Sequence, residues 1–385
     1  MKKRVYSLQL ISSFIMIFSF SQKVFSADFS AYSYILYCPD NGKIILEKNS
    51  NQRLPMASTT KIMTALLAFE TSKLYDENIK ITEKMVRVEG SSMGLKSGQT
   101  LSGSNLAKGA LTVSGNDAAN SIALWLGGSF ENFSRFMNIR AKELKMNNTN
   151  FVTPSGLDEK NHYSTAFDLA LLASEAMKNK EFLKVVSSLK TEVTFKEPNK
   201  TVPFYNENKL LKKYKGCIGV KTGFTKISGR CLVSCAEREN LRLIVVTLKA
   251  SDDWNDHIKL YDYGFSHFKA IVPERENLSV PVVGGKVDTV ELFFKDPIKI
   301  VSNINENPKI SKKVSTQKFI YAPVCKNKNV GKVTYFVDGK KYKECELFTK
   351  KEIQKKNKKL CFFEKIKKIV KNIKNKIFLK KGKHQ

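Results

Sequence analysis

Ser58 and Lys61 stand three residues apart, a spacing that would place a hydroxyl and an amine on one face of a helix. A serine alcohol becomes a strong nucleophile only when a neighbouring base takes its proton. Lysine can be that base if burial or a second cation lowers its pKa. A helix start also supplies free amide N–H groups that favour a developing oxyanion. The pair therefore indicates nucleophilic catalysis by serine.

The Ser-x-x-Lys spacing alone is weak evidence, because this chain is rich in lysine. It occurs four times, beginning at Ser58, Ser187, Ser266 and Ser315. A helix start followed by a solvated lysine would give the same pattern. Two further motifs, each present once, single out the first of the four.

These motifs are Ser114-Gly115-Asn116 and Lys221-Thr222-Gly223. The first interrupts a helical block, where a loop would point two polar side chains inward. The second ends a predicted strand. Its lysine supplies a second cation to depress the pKa of Lys61 and to attract a carboxylate, and Gly223 lets a ligand backbone lie against the strand edge. The three motifs, on a predicted helix, a loop and a strand, thus predict one shared site.

With these motifs the sequence resembles the low-molecular-mass penicillin-binding proteins that act as serine D-alanyl-D-alanine carboxypeptidases. The resemblance is strong over roughly residues 27–268 and extends to several longer segments. These are Leu54–Ala65, Val113–Ala119, Pro154–Leu157, His162–Ala166, Val220–Thr225 and Trp254–His257. It implies an α/β (α+β) domain of the serine β-lactamase and penicillin-binding-protein type.

The resemblance implies a reaction in two halves, with peptidoglycan stem peptides ending in D-Ala-D-Ala as substrate. Ser58 attacks the carbonyl between the two D-alanines, Lys61 accepts its proton, and Ser114 relays a proton to the departing D-alanine. Water then hydrolyses the acyl-enzyme, and no metal or organic cofactor is expected. β-Lactams mimic the dipeptide and acylate the same serine but deacylate slowly, so they are expected to inhibit.

The same resemblance implies the substrate contacts. Asn116 would hold the substrate amide, and Lys221 and Thr222 would bind the terminal carboxylate. Backbone N–H groups of Ser58 and Phe224 would form the oxyanion hole.

Relatives in this family use an arginine after the Lys-Thr-Gly strand to help hold the carboxylate. Here that region reads Ser251-Asp252-Asp253-Trp254, without an arginine. The role therefore stays unassigned, with Arg230 as a nearby candidate.

Periodicity and turn residues predict the elements that must position these motifs. Asn41-Gly42 between apolar runs indicates a hairpin. The predicted strands are 34–37, 43–47, 217–221, 230–236 and 241–248, and the predicted helices are 58–69, 106–113, 117–126, 130–144 and 252–265. Strands at both ends of a helical block favour an antiparallel sheet flanked by helices, with the N- and C-terminal strands paired.

The chain divides by composition into four parts: a signal peptide over 1–26, a catalytic domain over 27–275, a small all-β domain over 276–348 and a basic tail over 349–385. Strands of the β domain are predicted at 280–283, 289–294, 318–322 and 331–336, with no convincing helix. A charged start, an uncharged run over 5–22 and a small residue at Ser26 give the secretory pattern, with an uncleaved anchor as the alternative.

The charge balance indicates anionic partners. Lys and Arg number 66 and Asp and Glu 36, a net charge of +30. Export and the absence of a nucleic-acid-binding motif exclude nucleic acid as a partner. The segment from Lys350 to Gln385 carries 15 lysines and two glutamates, with apolar residues at helical spacing. This predicts an amphipathic helix that binds an anionic membrane surface, or else a solvated tail or a helix docked on the β domain.

Seven cysteines at irregular spacings do not suggest a disulfide framework, and most are expected to be small buried groups. Cys231 and Cys235, four positions apart in one strand, are too distant for a bridge. Four histidines without metal-ligand spacing argue against a zinc site.

Three alternatives use the same pocket. A class A β-lactamase adds a deacylating glutamate in Glu-x-x-x-Asn, a pattern that Glu143–Asn147 fits, but lacks the β domain and tail. A wall-binding or β-lactam-sensing protein would have no use for Lys61. A DD-endopeptidase cutting crosslinks stays open.

Overall fold

The computed structural model of the protein describes residues 28–274, 277–294, 298–356 and 366–367. The predicted signal peptide lies outside the described residues, as does the predicted amphipathic tail except for residues 349–356 and 366–367. In the described part of the chain, no helix is long and apolar enough to cross a membrane.

The first part of the chain mixes strands and helices. In chain order these are β1 (Ser33–Cys38), β2 (Lys43–Lys48), a 3-10 turn (Ala57–Thr60), α1 (Lys61–Ser72), β3 (Asn78–Lys80), α2 (Glu83–Val86), β4 (Thr100–Ser102), α3 (Gly103–Thr112), α4 (Asn116–Gly127), α5 (Phe130–Glu143), α6 (Ala166–Ala176), α7 (Lys180–Val186), β5 (Lys190–Glu197), β6 (Lys200–Tyr205), α8 (Leu210–Lys213), β7 (Cys217–Thr225), β8 (Gly229–Arg238), β9 (Leu241–Ala250), α9 (Asp253–His267) and β10 (Phe268–Ile271).

The central sheet is antiparallel with strand order β2-β1-β9-β8-β7. Ile35 of β1 lies opposite Val246 of β9, so the predicted pairing of N- and C-terminal strands is confirmed. Both faces of the sheet are covered. Val246 packs into the core shared with the helical block, and Val245 packs into a second core with α9. Burial on both faces explains why these strands read as continuous apolar runs.

Helix α1 runs through the middle of the helical block, and it is apolar on nearly every side. Ile62, Met63 and Leu66 are all fully buried, as expected of a helix enclosed by others. The helix predicted over 58–69 is shifted, because residues 57–60 form a 3-10 turn and the α-helix continues to Ser72. Ser58 therefore sits in the tighter turn that precedes the helix.

Several elements were not predicted from the sequence. They are α2, α6, α7, α8, β10 and a four-stranded sheet of order β3-β4-β5-β6. This sheet packs beside α3, with Val193 and Phe195 of β5 buried in the main core. The other predicted helices and central strands are present, displaced by a few residues at their ends.

The second part of the described chain is all-β, as predicted. Its strands are β11 (Ser279–Val283), β12 (Thr289–Phe293), β13 (Ile300–Asn303), β14 (Ile310–Thr316), β15 (Ile320–Tyr321), β16 (Asn329–Val337) and β17 (Lys340–Thr349). Six of the strands described there form a sheet of order β14-β16-β17-β12-β11-β15 around a separate apolar core. The strand predicted at 318–322 is reduced to two residues, and β13, β14 and β17 were not predicted.

The two parts are joined by strand pairing and ion pairs. β10 pairs with β13, and Lys299 lies 3.3 Å from Glu237 and 3.7 Å from Asp40. Past the predicted boundary at 348, Ile353 is buried and forms a bridge with Val324. The described chain thus stays attached to the β domain up to Lys356.

The cysteines of the described residues are free. Cys38, Cys231 and Cys235 are buried. Cys217 and Cys345 are partly buried, and Cys325 is exposed.

Candidate active site

The nucleophile candidate and its base lie within hydrogen-bond distance. Lys61 Nζ is 2.8 Å from Ser58 Oγ and donates to the backbone carbonyl of Ser155 at 2.8 Å. Lys61 is completely buried although it begins a helix. Of the four Ser-x-x-Lys pairs, this one alone is hydrogen-bonded among the described residues.

The surroundings of Lys61 favour its neutral form. Burial lowers the pKa of Lys61 well below its ordinary value, and the positive charge of Lys221 lowers it further. The sequence pointed to burial or a second cation as the cause of a lowered pKa, and desolvation by burial is the larger of the two. An amine that is uncharged near neutral pH can accept the proton of Ser58 as that oxygen attacks.

Strand β7 lies directly against the nucleophile turn. A Cβ on Gly223 would come within 3.0 Å of the backbone nitrogen of Ser58 and 3.1 Å of that of Thr59. Glycine at this position therefore lets the strand approach the helix start closely, a role additional to the predicted close approach of a ligand backbone. Phe224 follows on the same strand with its side chain exposed.

Lys221 is buried on β7, and its Nζ donates to the carbonyl of Thr222 at 2.9 Å. Desolvation lowers the pKa of Lys221 to about 8. The ammonium form persists at neutral pH, so a carboxylate entering the site would meet a poorly solvated positive charge.

The Ser-Gly-Asn motif lies between α3 and α4. Ser114 is buried with a φ of +58°, a conformation uncommon for a residue with a side chain. Asn116 Nδ2 donates to the carbonyl of Glu89 at 2.5 Å, whereas its Oδ1 is buried without a hydrogen-bond partner in the described residues. That oxygen is available to a donor from a ligand, such as an amide N–H.

Asp117 holds the loop that faces this motif, a role the sequence analysis missed. Its buried carboxylate accepts from the hydroxyl of Ser92 at 2.6 Å and from the backbone N–H groups of Met93 and Leu95 at 2.9 Å each. A buried carboxylate needs such donors. The sequence feature that could have indicated this role is a charged residue, Asp117, followed by two alanines at the start of α4.

The segment Pro154–Gly156 supports the nucleophile turn from the opposite side. Pro154 accepts a hydrogen bond from the hydroxyl of Thr64 at 2.6 Å, and Ser155 accepts from Lys61. Gly156 has a φ of +85°, and a Cβ there would lie 1.9 Å from the carbonyl oxygen of Ala57. Ala57 itself has a φ of +48°, so the residue before the nucleophile is held in a strained conformation.

We expect Gly156→Ala to destabilise the protein by about 2–4 kcal/mol, because it adds left-handed strain and a collision with Ala57. Chemical denaturation measures the loss. Gly98→Ala is the matched control, since Gly98 has a φ of +88° and open space around its Cβ position. Equal losses in the two variants would show that the contact with Ala57 does not matter.

His162 completes the support of this turn. Its Nδ1 accepts from the backbone N–H groups of Val152 and Thr153, and its Nε2 lies 2.9 Å from Thr60 Oγ1. Thr60 in turn donates to the carbonyl of Ala57 at 2.8 Å. Burial lowers the pKa of His162 to about 4, so the ring is neutral at physiological pH and acts as a fixed hydrogen-bonding group.

Arg230, the candidate for an additional carboxylate ligand, lies opposite Phe224 in the β7–β8 register. Arg230 is exposed. Burial raises the pKa of Asp253, and the positive charge of Arg230 lowers it. Its electrostatic partner among the described residues is thus on α9.

Glu207 is an exposed carboxylate that interacts electrostatically with both buried lysines, and no sequence motif had marked it. Its backbone N–H donates to the carbonyl of Thr112, two residues before Ser114. Its negative charge opposes the lowering of the pKa of both Lys61 and Lys221. No local pattern marks this glutamate, because its effect depends on the folded position of its loop.

Glu207→Gln is expected to move both limbs of the pH profile of kcat/KM to lower pH. Without the carboxylate the pKa of each lysine falls, so Lys61 becomes neutral and Lys221 loses its proton at lower pH. In the parent protein the alkaline limb is expected near pH 8, where Lys221 titrates. Glu239→Gln, at the exposed β8–β9 turn, is the control and is expected to leave both limbs in place.

Metal-ligating side chains are not grouped in this pocket. Nowhere in the described ranges do three or more His, Cys, Asp or Glu residues come together as a metal site. The site is made of three hydroxyls, two amines, an amide and backbone N–H groups, a set suited to binding a carboxylate and stabilising an oxyanion.

Comparison with known proteins matches both parts of the chain. The family model described as D-alanyl-D-alanine carboxypeptidase matches residues 20–252, and the model described as penicillin-binding protein 5, C-terminal domain matches residues 265–355. D-alanyl-D-alanine carboxypeptidase DacF of Bacillus subtilis is 32% identical over 373 residues, covering 92% of this chain and 95% of the relative.

Two further comparisons agree in family and fold. The crystal structure of penicillin-binding protein 5 from Haemophilus influenzae matches with a TM-score of 0.64 and 28% identity, over 86% of this chain and 99% of that one. A D-alanyl-D-alanine endopeptidase of Escherichia coli is 33% identical over 55% of this chain and 68% of the relative. The chain belongs to the D-alanyl-D-alanine carboxypeptidase family of penicillin-binding proteins.

Proposed function

We propose that this protein is a serine D-Ala-D-Ala carboxypeptidase that removes the terminal D-alanine from peptidoglycan stem peptides. The observation that carries the proposal is the buried Lys61 amine 2.8 Å from Ser58 Oγ, with Lys221 as the second cation that lowers its pKa. The family match over residues 20–252 supports the same activity.

Acylation begins when Ser58 Oγ attacks the carbonyl carbon between the two D-alanines. Lys61 takes the hydroxyl proton, and the new C–O bond forms as negative charge moves to the carbonyl oxygen. Backbone N–H groups of Ser58 and Phe224 stabilise that oxyanion. The C–N bond then breaks, Ser114 relays a proton to the leaving D-alanine nitrogen, and an ester on Ser58 remains.

Substrate binding uses the groups around the serine. The ammonium of Lys221 and the hydroxyl of Thr222 bind the terminal carboxylate. Asn116 Oδ1, buried and unpartnered in the described residues, accepts from a substrate amide N–H. Water then attacks the ester, and Ser58 is regenerated by return of a proton through Lys61.

β-Lactams present a similar acyl bond and a carboxylate, so they acylate Ser58 and inhibit the enzyme. The candidate deacylating glutamate of a β-lactamase, Glu143, does not fit that role. It is a surface residue of α5, more than half exposed and ion-paired with Arg140 at 2.9 Å. This exposure supports the carboxypeptidase over the β-lactamase.

The division into a catalytic domain over 27–275, a β domain and a basic tail is also part of the proposal, with the predicted boundary at 348 moved to Lys356, the last described residue bonded to the β domain. In this arrangement an exported enzyme is held at the outer face of the cytoplasmic membrane by its tail, and the β domain acts as a stalk. The net charge of +30 supports binding to anionic lipids and to a wall polymer rich in carboxylates.

The test is release of D-alanine from an N-acylated peptide ending in D-Ala-D-Ala. The matched peptide has its terminal carboxylate amidated, and we expect it to be cleaved much more slowly because Lys221 and Thr222 lose their ligand. Equal cleavage of both, or preferential cleavage of a crosslinked peptide dimer, would favour an endopeptidase. Penicillin is expected to leave an adduct that persists for many turnovers, whereas rapid release would indicate a β-lactamase.

A further inference from the structure

The β domain exposes an apolar patch at the edge of its sheet. We define the edge patch as Val283, Val287, Phe319 and Tyr321, which are 46%, 51%, 46% and 66% exposed. Single exposed apolar residues are ordinary, but four on neighbouring segments of a small domain suggest a contact surface.

Backbone pairing holds this patch together. β11 and β15 pair in parallel with Val283 beside Tyr321, and Ala322 donates its N–H to the carbonyl of Val283 at 3.0 Å. The rings of Phe319 and Tyr321 stack edge to face with centroids 5.4 Å apart. Ile320, between them, is buried in the β core, so both rings point away from it. Val283 and Tyr321 of the patch therefore lie on paired strands, and Phe319 directly precedes one of them.

Lysines border the patch. Lys318 precedes Phe319, and Lys286 precedes Val287, and both are exposed. Lys355 forms a bridge with Gly285, and Lys356 donates its N–H to the carbonyl of Gly284 at 2.9 Å. One carboxylate, that of Asp288, follows Val287 and is also exposed. Aromatic rings bordered mainly by lysines suit the boundary between water and an anionic bilayer.

Residues 354–356, near the start of the predicted amphipathic segment, lie at the same edge of the β domain. The backbone N–H of Lys286 donates a hydrogen bond to the backbone carbonyl of Gln354 at 2.9 Å, and Lys286 Nζ donates to Gln354 Oε1 at 2.7 Å. Residues 354–356 therefore run beside the patch. The following 29 residues, 357–385, contain eleven lysines and one glutamate. A tail that binds anionic lipid would bring the patch to the same surface.

We propose that the edge patch inserts into the interfacial region of an anionic bilayer and forms a second membrane contact beside the basic tail. The inference rests on the proposed location at the membrane face and adds a contact made by the folded β domain. A single tail would leave the domain free to rotate, whereas two adjoining contacts fix its orientation. Firm attachment to a bilayer generally requires two such signals.

The first experiment places tryptophan at the patch in the full chain. Tyr321→Trp is mixed with vesicles of phosphatidylglycerol and phosphatidylcholine, and its emission is expected to shift to the blue and be quenched by brominated lipid. Tyr205→Trp is the control, because Tyr205 is 67% exposed on the catalytic domain. An equal response from the two tryptophan variants would overturn the proposal. An emission of the Tyr321→Trp protein that is already blue-shifted without vesicles would also overturn it, because the tail would then cover the patch.

The second experiment measures vesicle partitioning of the full chain with Phe319→Ser and Tyr321→Ser combined. We expect the partition coefficient to fall about tenfold, because two rings no longer leave water. Leu74→Ser with Tyr205→Ser is the matched control and is expected to leave partitioning unchanged.

An unchanged partition coefficient in the patch variant would show that the tail alone binds. D-Alanine release from a soluble peptide is measured on the same variants and is expected to be normal. A parent protein that binds vesicles but releases no D-alanine would refute the proposed activity without touching the patch.

Discussion

Replacement of Ser58 by alanine will abolish both D-alanine release and the covalent penicillin adduct, while the protein stays folded. The hydroxyl is the attacking atom, and no neighbouring group in the described structure can replace it at 2.8 Å from Lys61. We expect a loss of at least ~10³-fold in the rate of acylation, the scale seen when an activated nucleophile is removed. Mass spectrometry of penicillin-treated protein measures the adduct directly.

Ser187→Ala is the control for this substitution. Ser187 also begins a Ser-x-x-Lys pattern, but it lies after α7 and is not hydrogen-bonded to Lys190 in the described chain. Its replacement is expected to leave activity and the adduct unchanged. An adduct of full yield on the Ser58→Ala protein would identify another nucleophile and remove the basis of the proposed reaction.

The parts of the fold that could be predicted are those whose sequence pattern reflects a local repeat. α1 has apolar residues at every turn, and β8 and β9 are long apolar runs bounded by a turn at Glu239-Asn240. Since both faces of the sheet are buried, these runs needed no alternation to be recognised. The three catalytic motifs were found because two of them occur only once in the chain and the three lie on different predicted elements.

The elements that were not predicted have weaker or different patterns of apolar and polar residues. β14 reads Ile-Ser-Lys-Lys-Val-Ser-Thr and is largely exposed at the end of its sheet, where charged side chains are expected. β5 did carry a signal, because Thr191, Val193 and Phe195 alternate with charged or polar residues and face the core. That alternation could have identified the strand.

The supporting residues of the site could not be predicted from spacing. The Ser155 carbonyl meets Lys61 across 94 residues of sequence, and His162 meets Thr60 across 102. Such contacts depend on how α1 and the loop 150–165 pack, which no local periodicity records. The sequence likewise indicated the second cation but not the extent of burial, which is the main cause of the lowered pKa of Lys61.

Substitution of Lys61 by methionine or by arginine will each lower the acylation rate by roughly 10²–10⁴-fold, the usual contribution of a general base. Methionine keeps much of the side-chain volume without a basic nitrogen. Arginine keeps a positive charge but cannot act as a base at physiological pH. Similar losses in the two variants are therefore expected if Lys61 accepts the proton, and stopped-flow acylation by a chromogenic cephalosporin measures them.

A purely electrostatic role for Lys61 makes a different prediction, because arginine would then retain much of the activity that methionine loses. The exposed Lys73, just after the same helix, provides the control variant Lys73→Met, which is expected to be fully active. Melting temperatures separate lost chemistry from lost folding, since arginine is larger than the fully buried lysine it replaces. Folded arginine protein with near-normal acylation would exclude Lys61 as the base and leave Ser58 to be activated by another group.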